Sequence, residues 1–313
     1  MTKLFNLNDF DLVSVQGPDS LKFLQGQLTC NVDRVSTTQS ITGAYCNLKG
    51  RVITDFRIFI RDGTYYLQTE KGLGEVLQKT LDKYIVFSKA KTESVGDNFK
   101  RIGLCGEGAV TLLHSIYTQL PQQEGACQQT DELIIIKLNG PQQRYEIYYQ
   151  GDSAEADRLM AGSEEADTGY WRLADIEAGI VHISPAMQEI YTPQLLNYDI
   201  RGLVDFKKGC YTGQEIVARM HYRAMAKKRL YRLTADISQA DKLVLNLEGS
   251  ENPAEIITAY TQNGITHLLA ILPCEEIVDR PPVLTLTVER GAIIEQVPAR
   301  FIPLPCFENI RSS

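Results

Sequence analysis

Residues 208–215 read Lys-Gly-Cys-Tyr-Thr-Gly-Gln-Glu, a combination suited to thiol chemistry. Cys210 stands between Gly209 and Gly213, behind Lys207 and Lys208, with Tyr211 beside it. The stretch Gln214-Glu215-Ile216-Val217-Ala218-Arg219 predicts a helix, so the cysteine lies near a helix N-terminus. Adjacent cations and the helix dipole both favour thiolate, the nucleophilic and metal-binding form. The glycines let the backbone turn tightly or approach a ligand closely. On composition alone, the competing reading is a cysteine packed as a small core residue in a tight turn.

Two carboxylates also draw notice. Asp55 lies in a predicted strand whose alternation places Arg51, Ile53, Asp55, Arg57 and Phe59 on one face. Read locally, it forms an ion pair on a half-exposed strand. Glu177 lies in Trp171-Arg-Leu-Ala-Asp-Ile-Glu-Ala-Gly-Ile180, a predicted helix that Gly179 ends. Leu173, Ile176 and Ile180 form its buried stripe, and Glu177 flanks them as a surface residue. Arg219, His221, Arg223, Lys227, Lys228, Arg229 and Arg232 make a basic cluster after the cysteine segment. By default this is a solvated, ion-paired face; the alternative is a surface that attracts a polyanion.

Other chemistries find little support. His114, His182, His221 and His267 are isolated, without helical metal-ligand spacing, and no metal site is expected. There is no phosphate-binding glycine loop; Gly103-Leu-Cys-Gly106-Glu-Gly108 has the spacing of a strand-to-helix turn. Seven cysteines, an odd number with no Cys-x-x-Cys pair, predict reduced thiols in a cytoplasmic protein rather than a zinc ribbon or a self-contained cluster motif. Ligands distant in sequence could still converge.

The elements that must position these residues fit into 313 residues, enough for two or three domains, with 43% hydrophobic and 23% charged content. A net charge of −7 argues against a generally basic nucleic-acid-binding surface and direct RNA binding. No apolar run reaches the roughly 20 residues that span a bilayer, and the N-terminus lacks signal-peptide organisation. Asp11–Val15 predicts a strand and Gly17-Pro18-Asp19-Ser20 a helix start, with Leu21, Leu24 and Leu28 facing a core. Residues 41–69 predict a β-meander turned at Asn47–Gly50 and at Asp62-Gly63. Lys71–Tyr84 predicts a helix with Leu73, Val76, Leu77, Leu81 and Tyr84 on its inner side. Further strands are expected at 100–104, 132–138 and 144–149, and helices at 107–117, 153–160 and 170–180. After about residue 228 come short strands at 229–235, 242–247, 255–260, 266–272 and 283–288, which predict a small β-barrel or sandwich. Strands and helices mix without a βαβ rhythm, so the fold class is α+β.

The segment Lys208–Glu215 resembles the signature of the YgfZ family. These are folate-binding proteins similar to the T-protein (aminomethyltransferase) of glycine cleavage, and they support the assembly or maintenance of iron–sulfur enzymes, including tRNA-modifying ones. Val15–Thr29, Lys49–Asp55, Lys83–Lys89 and Asp175–Gly179 resemble further blocks, so motif support covers roughly residues 8–230. The resemblance implies interwoven α+β domains over residues 1–228 and a C-terminal β-barrel over 229–313. It implies a pocket for tetrahydrofolate or a one-carbon derivative, with Asp55, Glu177, Lys208, Tyr211, Gln214 and Arg219 binding, and Cys210 and Asp55 carrying chemistry. In that frame Asp55 approaches the folate nitrogens, where a carboxylate holds or relays a proton, and Glu177 accepts from the amino and imino groups of the pterin. The alternative reading of the basic cluster is attraction of the polyglutamate tail of folate, or of RNA. Expected partners are iron–sulfur assembly factors or client iron–sulfur proteins, not a membrane. Folate-dependent aminomethyl or methyl transfer is the alternative function.

Overall fold

The computed structural model describes residues 2–223, 226–274, 284–291 and 293–304. Two compact units emerge, each built from three chain segments. The first comprises Met1–Trp171, His182–Pro193 and Gly202–Ala218; the second comprises Arg172–Val181, Gln194–Arg201 and Arg219–Ser313.

The first unit opens with β1 (Lys3–Asn6), β2 (Phe10–Gln16) and the short helix α1 (Ser20–Gln25). The predicted meander follows as β3 (Ile41–Cys46), β4 (Val52–Arg61) and β5 (Thr64–Glu70). Asp62 and Gly63 both have positive φ, 50° and 75°, as a tight hairpin turn requires. Next come α2 (Gly74–Ile85), β6 (Lys91–Ser94), β7 (Phe99–Cys105) and α3 (Glu107–His114). Then β8 (Cys127–Gln129), β9 (Leu133–Leu138), β10 (Arg144–Gln150), α4 (Ala154–Ala161) and β11 (Glu164–Glu165) lead to α5 (Thr168–Ala178). Helix α6 (Gln214–Arg223) starts directly after the cysteine segment.

Two sheets stack in this unit. One has the order β3-β4-β5-β2-β6, the other β11-β1-β7-β10-β9-β8. Phe10, Leu12 and Phe59 of the first pack against Ile134, Ile136, Leu138 and Tyr148 of the second. On the outer face of the first sheet, Val13 and Val15 meet Leu77 and Leu81 of α2. On the outer face of the second, Leu133, Ile135, Tyr145 and Ile147 meet α3 and α4 through Ala109, Leu113, Ala156 and Leu159. This layering explains the unbroken apolar run Leu133–Ile136: alternate residues serve two cores.

Three local expectations are corrected. Leu24 and Leu28 are fully buried, but Leu21 turns outward and Tyr84 ends α2 exposed. In β4, Tyr45 pairs with Thr54 but Cys46 with Val52, so Ile53 is a bulge. Ile53 therefore joins Phe56 and Ile58 on the α2 side, while Phe59 faces the other sheet, and strict alternation from Arg51 to Phe59 does not hold.

In the second unit, β12 (Lys228–Ala235), β13 (Lys242–Leu247), β14 (Glu255–Gln262), β15 (Ile265–Pro273), β16 (Leu284–Arg290) and β17 (Ile293–Ile302) form one antiparallel sheet. Its order is β13-β16-β17-β12-β15-β14, and it curls until its edges touch, with Ala254 N–H donating to Leu245 O at 2.7 Å. Leu233, Leu245, Leu268, Leu286 and Val288 fill the interior. The barrel reading holds; β17 is a strand that the sequence pattern did not reveal. Cys306 lies outside the described residues.

Candidate functional site

The cysteine segment is anchored from below by residues 27–30, which belong to the Val15–Thr29 block and the residue after it. Thr29 Oγ1 donates to Leu203 O at 2.7 Å, and Asp205 N–H donates to Thr29 O at 2.9 Å. Asp205 Oδ1 accepts the backbone N–H groups of Lys207 and Lys208 at 2.8 and 3.2 Å. The ammonium of Lys208 turns inward and donates to the carbonyls of Leu28 and Cys30, both at 2.7 Å. Burial pushes the Lys208 pKa down to about 8, with Cys30 and Asp205 opposing the fall. Thr212 Oγ1 donates to Gln27 Oε1 at 3.1 Å.

A second contact comes from the Lys49–Asp55 block. Gly213 has φ +81°, and a Cβ there would stand 2.3 Å from Asn47 O, so only glycine fits. Gly50 packs under Ile216 and Val217 of α6. Two of the segments singled out in the sequence, some 160 residues apart, thus close on each other through positions that admit no side chain.

Within this frame Cys210 is exposed, whereas Cys30, Cys46, Cys105 and Cys127 are buried and Cys274 is half-buried. Its side borders a cleft of about 530 Å³ lined by Pro18, Leu21, Lys22, Gln25, Gly26 and Asp33. Burial pushes the Cys30 thiol up to about 12 even with Lys208 nearby, and the Cys46 thiol to about 12 as well. Tyr211 turns the other way and is buried; its hydroxyl has no hydrogen-bond partner among the described residues, and burial raises its pKa. An unsatisfied buried hydroxyl costs roughly 1–3 kcal/mol unless a ligand or water meets it. Gln214 is half-buried at the start of α6, and Arg219, in the second unit, is exposed.

Asp55 is buried in the first unit, not half-exposed. Its Oδ1 accepts the backbone N–H of Ile183 at 2.7 Å, and its Oδ2 accepts Nδ1–H of His182 at 2.8 Å. The segment that carries these partners runs along the start of β4, where Val52 and Tyr191 and then Glu189 and Val52 share backbone hydrogen bonds. Close by, Glu146 sits between Arg57 Nε at 3.2 Å and Arg101 Nη2 at 2.7 Å. Burial alone would raise the Glu146 pKa, but the two guanidiniums hold it well below the usual carboxylate range.

In the second unit, Gly179 (φ +68°) ends α5 and Glu177 accepts from Arg232 Nη2 at 2.9 Å. Arg232 Nε and His267 Nδ1 are buried without a hydrogen-bond partner among the described residues, and burial lowers the His267 pKa, Arg232 adding to the effect. Of the basic cluster, Arg229 forms two bonds to Asp199, both at 2.9 Å, and Arg232 pairs with Glu177; Lys227 and Lys228 are exposed. Among the described residues, no three His, Cys, Asp or Glu side chains converge as a metal-ligand group. No helix among them is long and apolar enough to cross a membrane.

Sequence reasoning missed His182, Asp205 and the Arg57–Glu146–Arg101 cluster. Their partners lie 45 to 128 residues away, or are backbone groups of a loop, and no local pattern marks them.

No family model matches the chain. The tRNA-modifying protein YgfZ of Yersinia pestis (strain Pestoides F) is 34% identical over 248 residues, covering 78% of this chain and 74% of that protein. The chain belongs to the YgfZ family. The tRNA-modifying protein YgfZ of Klebsiella pneumoniae (strain 342) is 32% identical over 247 residues, 78% of this chain and 75% of its own. The glycine cleavage system aminomethyltransferase T from Bartonella henselae superposes with a TM-score of 0.78 at 14% identity, covering 97% of this chain and 86% of that one. The α+β architecture of this YgfZ-family chain is therefore T-protein-like.

Proposed function

We propose that this YgfZ-family protein binds tetrahydrofolate or a one-carbon derivative and supports iron–sulfur cluster assembly or repair in the cytoplasm, including that of tRNA-modifying iron–sulfur enzymes. The observation that carries this reading is a T-protein-like fold in which the signature loop is locked in place while Cys210, alone among the described cysteines, is exposed. Its partners would be iron–sulfur assembly factors or client proteins, and direct contact with RNA is not part of the reading.

Each unit, taken by itself, carries groups whose chemistry suits a reduced folate. Glu177 is a carboxylate oriented by Arg232 and suited to accept N–H groups of a pterin ring. In the first unit, the buried Tyr211 hydroxyl has no hydrogen-bond partner among the described residues, as a site built for a polar ligand would leave it. Gln214, half-buried at the start of α6, offers an amide to such a ligand. Bound folate would supply a carrier for a one-carbon unit. Lys208 would set the loop through the carbonyls of Leu28 and Cys30, and Cys210 would meet a ligand or partner with its thiol. A second reading, folate-dependent aminomethyl or methyl transfer, draws on Asp55, the carboxylate of the T-protein-like block.

Anaerobic purification followed by mass spectrometry of bound folates and calorimetry with tetrahydrofolate tests binding. Absence of folate and of heat would remove the proposal. A glycine-cleavage assay with purified partner proteins separates the two readings: turnover favours the transferase.

A further inference from the structure

Where α2 ends, the first unit leaves a cluster of apolar side chains in water. Phe87 is 99% exposed and Val86 73%, and Tyr84 stands exposed beside them, past the last buried residue of the helix, Leu81. Single exposed apolar side chains are ordinary, but three within four residues make a patch. The turn that carries it is held at both ends. Ser88 N–H donates to Ile85 O at 2.8 Å, Lys89 N–H donates to Asp19 Oδ2 at 2.7 Å, and Asp19 N–H donates to Lys89 O at 3.3 Å. Gly17 makes room for this contact, since a Cβ there would stand 2.3 Å from Lys89 O.

The bonds to Asp19 tie the patch to α1, whose exposed Leu21 and Lys22 line the cleft beside Cys210. Polar side chains make a second link. Burial raises the Tyr45 pKa to about 12, with the Tyr84 phenol adding to the rise. Tyr45 Oη donates to Gln27 Oε1 at 3.3 Å, the oxygen that also accepts from Thr212 of the signature loop. Lys22, Lys83 and Lys89 rim the patch; all three are exposed, and none makes an ion pair among the described residues. The carboxylates of this edge are engaged: Asp19 by Lys89 N–H, Asp82 by the Thr92 hydroxyl, and Asp33 by Gln25 Nε2 at 3.2 Å.

We infer that Leu21, Tyr84, Val86 and Phe87, rimmed by Lys22, Lys83 and Lys89, form the docking surface for a protein partner, which binds through an acidic segment carrying aromatic or aliphatic side chains. The apolar side chains of that segment cover the patch, and its carboxylates meet the three free ammonium groups and steer the encounter. An apolar patch among cations also suits an anionic membrane. A net charge of −7 opposes that surface, whereas Gln25 and Asp33 in the adjoining cleft offer polar groups to the amides of a polypeptide. Docking here sets the partner beside Cys210. That the partner is an iron–sulfur protein rests on the reading above; the surface itself does not depend on it.

The test pans a displayed library of random peptides against the full chain and measures the selected peptides by fluorescence anisotropy. The selected sequences should combine Asp or Glu with Phe, Leu or Trp. Phe87→Ser and the Lys83→Ser/Lys89→Ser double variant should each weaken their binding about tenfold. Added salt should weaken binding to the wild type more than binding to the lysine variant. The substituted side chains are exposed, so urea midpoints should stay at the wild-type value; if one variant is destabilised, the other decides. The inference is overturned if the selected peptides lack acidic residues, or if they bind both variants with wild-type affinity. It is also overturned if phosphatidylglycerol vesicles, and no acidic peptide, bind in a Phe87-dependent way, or if the wild type self-associates in sedimentation and Phe87→Ser abolishes it. If Phe87→Ser loses the peptides but still supports iron–sulfur enzymes in cells, the surface stands and its partner is not an iron–sulfur protein. If the wild type binds no tetrahydrofolate, the folate reading falls and the surface is untouched.

Discussion

Lys208 reaches back from the signature loop to the carbonyl oxygen of Cys30, 2.7 Å from its ammonium, and at the same distance to that of Leu28. A lysine that reads in sequence as a cation beside Cys210 acts in the fold as a clasp on the chain beneath it. Lys208→Met removes two hydrogen bonds from a charged donor to backbone acceptors, a loss of roughly 1.5–3 kcal/mol. Urea unfolding should show that loss, and amide exchange should quicken across residues 203–213. Lys207, exposed one position earlier, serves as the control, and Lys207→Met should change neither.

Cys210 should alkylate faster near neutral pH than any other described cysteine. Its sulfur is on an exposed residue, while burial pushes Cys30 and Cys46 up to about 12 and also raises Cys105 and Cys127. Competitive alkylation with mass spectrometry gives the order directly. First reaction at Cys30 or Cys274 would mean that the loop presents its backbone shape rather than its thiol. In cells, Cys210→Ala should fold normally and fail to support iron–sulfur enzyme activity.

Glu177→Ala should weaken folate binding by roughly 1.5–3 kcal/mol, the worth of a charge-assisted hydrogen bond. It also strands the partly buried guanidinium of Arg232, so some stability is lost as well. Calorimetry on Glu177→Ala and on the Glu177→Ala/Arg232→Met double variant separates the two effects. Unchanged affinity in both would take Glu177 out of the site.

Alkaline pH should expose the burial of Cys46, whose pKa rises from 9.0 to about 12 because its environment desolvates the thiolate. The unfolded chain releases this proton near its ordinary pKa, while the folded chain keeps it. The contribution is thus full below about pH 9 and is lost as pH climbs toward the folded value. Between about pH 8 and about pH 10, the wild type should lose about 1–2 kcal/mol more than Cys46→Ala in urea titrations. Equal losses would show that the thiol ionises as it does in water.

The sequence by itself determined the local elements. Asp62-Gly63 could only be a tight turn, Gly179 ends α5 with φ +68°, and the strands at 100–104, 132–138 and 144–149 appear within a residue or two of their expected bounds. It also carried the family, because Lys208–Glu215 and Lys49–Asp55 resemble YgfZ blocks and a YgfZ protein is 34% identical over 248 residues. What periodicity cannot show is a break in its own register. The Ile53 bulge moves one residue to the other face of β4, and β17 carries Pro298, which removes a backbone donor and makes a strand read as a loop.

The tertiary structure decided what each polar group faces. Asp55 reads as a strand ion pair until the chain 127 residues later brings His182 to its carboxylate. Arg57, Arg101 and Glu146 come from three strands in two sheets, and only the stacking of those sheets places opposite charges in one layer. Helical and strand periods are set by neighbours a few residues away, so a sequence displays them. The environment of a buried charge is set by whichever distant segment packs over it, and that is known only once the chain has folded.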